Sequence, residues 1–66
     1  MKNRIKLLRV ERDLSQAQLA DELGIARQTV VALEAGKYAP SLPLAFKISK
    51  LFSKSVEDVF DADTAD

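Results

Sequence analysis

Apolar side chains recur along this chain at steps of three and four residues with polar residues between them, the period of helices laid against a core. Ile5 and Leu8 form the first such stripe. It predicts a helix from about Asn3, which can cap it, to about Arg12. Leu7 and Val10 make this helix apolar on a second flank, which the C-terminal helix is expected to cover. Leu19, Ala20 and Leu23 share the next face, Gly24 follows, and a second apolar set appears at Ile25, Val30 and Leu33. Two helices joined by a tight turn fit this best. Ala20 is small enough for a close crossing, and Gly24 adopts at little cost the left-handed conformation that often ends a helix. Ser15-x-x-Gln18 is a capping box, so the second helix starts at Gln16. The third runs from about Arg27 to Ala35 and is ended by Gly36. Ser41 caps a fourth that carries Pro43 in its first turn and continues to about Phe52. It has Leu44, Ile48 and Leu51 at core spacing, Lys47 and Lys50 outside, and in Phe46 and Phe52 more apolar surface than the stripes require. Ser55-x-x-Asp58, a second capping box, opens a short last helix with Val56, Val59 and Phe60 on one side. The sum is an all-α bundle of five helices over residues 1–60. An acidic tail, 61–66, holds nothing apolar larger than Ala, and disorder is expected there.

At 66 residues the core is small: such a chain buries only about 60% of the surface it exposes when unfolded. Association with a second copy is attractive on that ground. The absence of His and Cys removes disulfides, thiolate chemistry and the commonest proton shuttles and metal ligands. No glycine-rich phosphate loop or pair of catalytic carboxylates compensates, so neither an enzyme nor a cofactor is expected. No stretch approaches the ~20 apolar residues of a membrane span, and no signal-peptide core is seen; the cytoplasm is the expected location.

Net charge is zero, but it is segregated. Residues 1–54 hold all ten Lys and Arg with five acids and carry +5, while residues 55–66 hold the other five acids and carry −5. A basic face survives this balance, because phosphate contacts depend on local placement and not on the sum. The acidic end is either a solvated tail or an element that turns the far side away from DNA.

The bend at Gly24 is the arrangement of a helix-turn-helix, in which the first helix braces across the DNA backbone and the second enters the major groove. With Val30 and Leu33 turned inward, the third helix leaves Arg27, Gln28, Thr29, Val31 and Ala32 outside. Arg suits guanine and Gln suits adenine, each by two hydrogen bonds, and a Thr methyl can touch the thymine methyl. Val31 either reads a methyl group or is merely tolerated. Gln16, at a helix N-terminus with its positive dipole end, is placed for a phosphate, as are Lys37, Tyr38 and Ser41 around the following loop. Tyr38 has a second reading, in which its ring packs on the domain.

Ser15-Gln16, Leu19-Ala20, Gly24-Ile25, Arg27 to Val30, Leu33-Glu34, Gly36-Lys37-Tyr38 and Pro40-Ser41-Leu42 together resemble the phage repressor/Cro-like (XRE-type) helix-turn-helix domain. The likeness runs from about Ile5 to Phe60. It implies an ion pair between Arg9 and Glu34, a phosphate contact at Gln16, and a sequence-specific regulator of transcription, by default a repressor. A homodimer would bind a palindromic operator with half-sites about 34–36 Å apart. Ala26 departs from the pattern, which often has Ser or Thr there to cap the recognition helix. Phe46, Val56, Val59 and Phe60 are the candidate dimer surface, with closure of the monomer's own core as the other reading of Val59 and Phe60. No second domain for an effector is evident, so regulation is expected from operator occupancy, dimerisation or a protein partner. The rival reading is a protein-interaction module on the same scaffold, an antitoxin-like or adaptor chain, favoured by the zero net charge and by Val31 and Ala32.

Overall fold

A computed structural model of the chain describes residues 1–62. Five helices follow one another: α1 (Ile5–Glu11), α2 (Gln16–Leu23), α3 (Arg27–Glu34), α4 (Leu42–Phe52) and α5 (Val56–Val59). α1 begins two residues later than its apolar stripe suggests, but Asn3 still serves it, since its Oδ1 accepts from Ile5 N at 3.0 Å. It ends at Glu11, and the chain turns through Asp13, whose φ is 56°. The capping box of α2 is complete: Gln18 N donates to Ser15 Oγ at 3.0 Å and Ser15 N to Gln18 Oε1 at 2.8 Å. Gly24 ends α2 in the left-handed region at φ 69°. Lys47, expected only to face solvent, reaches from α4 and donates from Nζ to the orphan carbonyl of Leu23 at 3.0 Å, a favourable partner for a helix C-terminus.

α3 starts at Ala26 with no side-chain cap. It ends toward Gly36, whose φ of 72° and whose closeness to Met1, 3.2 Å from an added Cβ to the Met1 carbonyl oxygen, both disfavour a larger residue. Ser41 accepts from Leu44 N to start α4, and Ser55 accepts from Asp58 N to start α5.

Ile5, Leu19, Leu23, Val30, Leu33, Ile48 and Val59 form the fully buried centre. On α4 the buried positions are Ala45, Ile48 and Phe52, with Leu44 and Leu51 only half-buried. The Arg12 guanidinium lies over the Phe52 ring, 5.6 Å from its centroid.

Of the two readings of Val59 and Phe60, the dimer surface gives way to closure of the monomer's own core, in which both are buried. The reason is an antiparallel bridge between Asn3 and Phe60, with Arg4 N donating to Val59 O at 2.8 Å and Asp61 N to Lys2 O at 2.9 Å. This ties the end of α5 to the residues just before α1. One expectation needs correction: the C-terminal helix does not cover Leu7 and Val10, which stay exposed, because α5 packs chiefly on α4. The bridge also orders the first residue of the expected tail; residues 63–66 lie outside the described residues.

Candidate nucleic-acid interface

α3 is fastened on its inner side by Val30 and Leu33, both buried, with Ile25 half-buried under the turn. α2 packs against it more extensively than any other pair of elements in the fold, across the small, buried Ala20. Helical geometry then fixes the outer row. Arg27 and Gln28 are exposed, Thr29 is half-buried, and Val31 is 41% exposed.

Both ends of α3 are held by distant parts of the chain. At its C-terminal end Asn3 Nδ2 donates to Leu33 O at 2.7 Å, and Met1 N to Gly36 O at 2.7 Å. Spacing along the sequence carries no sign of these bonds, since the partners are some thirty residues apart. Lys37 and Tyr38, both exposed, follow directly, and exposed Ser41 opens α4.

From that same end, at Glu34, a line of polar groups crosses the three helices and reaches the N-terminal end at Arg27. Arg9 Nε donates to Glu34 Oε2 at 2.6 Å and its Nη2 to Glu34 Oε1 at 3.3 Å, while its Nη1 donates to Leu14 O at 2.8 Å. The two side chains are 12% and 6% exposed, so the single acid of α3 is neutralised from inside and presents no negative charge outward. Gln16 Nε2 donates to Glu34 Oε1 at 3.2 Å, and Arg27 Nη2 donates to Gln16 Oε1 at 3.4 Å. Arg9, Glu34, Gln16 and Arg27 are thus brought into one chain of contacts. The remaining outer residues, Gln28, Thr29, Val31, Lys37, Tyr38 and Ser41, follow on α3 and the segment after it. Phe46, 52% exposed, lies apart from that row on α4, and Val56 is half-buried.

An outward row of Arg, Gln and Thr on a helix that is fixed from below, beside a second helix whose N-terminus is capped and exposed, is equipped to meet base edges and phosphates together. The helix-turn-helix family model HTH_3 matches residues 5–59. The chain belongs to this XRE-type family. Its relatives in the family include an uncharacterized HTH-type transcriptional regulator of Methanocaldococcus jannaschii, 53% identical over 60 residues that cover 91% of each chain. YgzD of Bacillus subtilis, an uncharacterized HTH-type transcriptional regulator, is 53% identical over 91% of each chain. The cryptic phage CTXphi transcriptional repressor RstR of Vibrio cholerae is 35% identical over 94% of this chain and 57% of its own. A crystal structure of a candidate DNA-binding protein from Bacteroides fragilis shares the fold, with a TM-score of 0.75 at 26% identity over 88% of this chain and 94% of that one. XRE-type proteins of this kind are DNA-binding transcriptional regulators, not enzymes. Among the described residues no helix is long and apolar enough to cross a membrane.

Proposed function

We propose that this protein is a cytoplasmic transcriptional repressor that binds a palindromic operator in double-stranded DNA as a homodimer. The observation that carries the reading is the row Arg27, Gln28, Thr29 and Val31, held outward on a helix whose opposite face, Val30 and Leu33, is buried. In the major groove, Arg27 suits guanine, Gln28 suits adenine, and Thr29 and Val31 suit the thymine methyl, each good bidentate pair being worth about 1–3 kcal/mol of discrimination. Gln16, Lys37, Tyr38 and Ser41 contact phosphates on either side and fix the register. Repression is favoured by the likeness to RstR, a named repressor.

The dimer surface of this reading is narrower than the sequence suggests. With Val59 and Phe60 inside, it centres on Phe46 and on Leu42, 64% exposed and one turn before it on α4. Leu42 and half-buried Val56 line an apolar cavity of about 230 Å3 with Pro40 and Ala45.

Selection of bound sites from a random duplex library tests the whole. Enrichment of a palindrome with half-sites one turn apart, lost in a variant carrying Arg27→Ala and Gln28→Ala, supports it. A folded protein that enriches nothing overturns it and favours a protein partner on the Val31 face.

A further inference from the structure

Tyr38, Ala39 and Pro40 stand between α3 and α4 with no backbone hydrogen bond of their own among the described residues. A loop without internal bonds takes its place from its two ends and from what it rests on. Its far end is Ser41, which starts α4. Its near end is Gly36, and there the residues before α1 do the holding. Met1 N donates to Gly36 O at 2.7 Å, and Met1 lines the same apolar cavity as Ala39 and Pro40.

Asn3 keeps Met1 in that position. Its Nδ2 donates both to Met1 O, at 3.2 Å, and to Leu33 O, at 2.7 Å, while its Oδ1 accepts from Ile5 N. The two carbonyls can only accept and Ile5 N can only donate, so no flip of the amide fits. Leu33 O already accepts from Gly36 N at 3.0 Å, and the backbone of Asn3 is bridged to Phe60 whatever its side chain. The Nδ2 bonds are therefore needed neither to satisfy a carbonyl nor to close the fold. What they fix is the place of Met1 over the end of α3.

We propose, resting on the DNA-binding reading above, that Asn3 is a positioning residue for the DNA backbone: by fixing Met1 on Gly36 it sets where Lys37 and Tyr38 meet phosphate. Lys37 N donates to Ala32 O at 3.2 Å, so the residue after Gly36 still belongs to the end of α3. Both exposed side chains start from the point that Met1 fixes. Held before contact, the loop loses less freedom on binding. Phosphate carries no sequence information, so the effect of Asn3 is the same on every duplex.

Asn3→Ser leaves an oxygen that can accept from Ile5 N but is too short to reach Leu33 O as well. The wild-type chain and Asn3→Ser would each be made with and without the pair Lys37→Ala, Tyr38→Phe. All four are titrated with the selected duplex and with duplexes changed at single base pairs, over a range of salt. A thermal melt of each checks that it is folded. The expected result is that Asn3→Ser weakens binding to every duplex by one common factor of about 2- to 10-fold, with the salt slope reduced by up to about one. In the chain already changed at Lys37 and Tyr38, Asn3→Ser costs nothing further. Equal losses in both backgrounds, an unchanged affinity and slope, or a loss confined to one base pair each overturn the proposal while leaving the DNA reading standing. If Asn3→Ser melts below the assay temperature, Asn3→Asp, which keeps Oδ1 for Ile5 N, replaces it, and the effect of its added charge cancels between the two backgrounds. A wild-type chain that selects no duplex overturns both.

Discussion

Arg9 and Glu34 sit twenty-five residues apart and nearly out of water, and their forked contact joins the first helix to the third. Removing one member leaves the other's charge buried and unpaired, which costs about 3–5 kcal/mol. Arg9→Met is therefore expected to lower the urea midpoint severely. The double change Arg9→Met, Glu34→Met should be less damaging than Arg9→Met alone, because no orphan charge remains. A double variant as unstable as the sum of its parts would show that the two residues act independently. The chain's arginines are not equivalent: Arg9 holds helices together, Arg12 covers the Phe52 ring, and Arg27 stands at the outer surface.

At the scale of the element, the caps were readable and the distant fastenings were not. Ser15, Ser41 and Ser55 act on backbone groups three residues ahead, so the local sequence announces them. Gly24 and Gly36 likewise declare the ends of α2 and α3 by their positive φ. In contrast, Asn3 on Leu33 O and Lys47 on Leu23 O depend on where the helices come to rest, which no window along the chain contains. The Arg9 to Glu34 contact was legible only through the family resemblance. The error over Leu7 and Val10 has the same root, since periodicity gives a helix its apolar faces but not its neighbours. Ala26 offers a direct check of local reasoning. Because α3 lacks a side-chain cap, Ala26→Ser is expected to add about 0.5–2 kcal/mol. In thermal unfolding each 1 kcal/mol should raise the midpoint by about 4–8 °C; no rise would mean that Thr29 N, which already donates to Ala26 O at 3.0 Å, gains nothing from a side-chain oxygen.

For the molecule as a whole, the outer row of α3 and the apolar patch on α4 lie on separate elements, so the DNA reading and the dimer proposed above can be tested one at a time. Phe46 is exposed and supports nothing in the core. Phe46→Asp should leave the thermal midpoint of the monomer nearly unchanged, as surface substitutions do, while sedimentation shows the mass falling from dimer to monomer. An unchanged dimer mass would move the contact elsewhere, with exposed Leu7 and Val10 as the next patch to examine. Val59 and Phe60 show why the sequence left part of this surface with two readings. Their burial comes from pairing with a segment fifty-seven residues earlier, at Asn3, and apolar periodicity alone does not distinguish a face that meets its own chain from one that meets another.

The bridge between Asn3 and Phe60 makes the backbone a closed ring, with Lys2 and Asp61 hydrogen-bonded side by side. In a ring the starting point of the chain is arbitrary. A circular permutant that joins Asp61 to Met1 through a short Gly-Ser linker, keeping Met1 N as the donor to Gly36 O, and opens between exposed Ser53 and Lys54 should recover the same helical circular dichroism and select the same duplex. Loss of the fold would mean that the order in which the helices are joined matters beyond their packing. Success would free the DNA-reading helix from a fixed place in the sequence and allow the domain to be inserted into a host loop by two neighbouring attachment points.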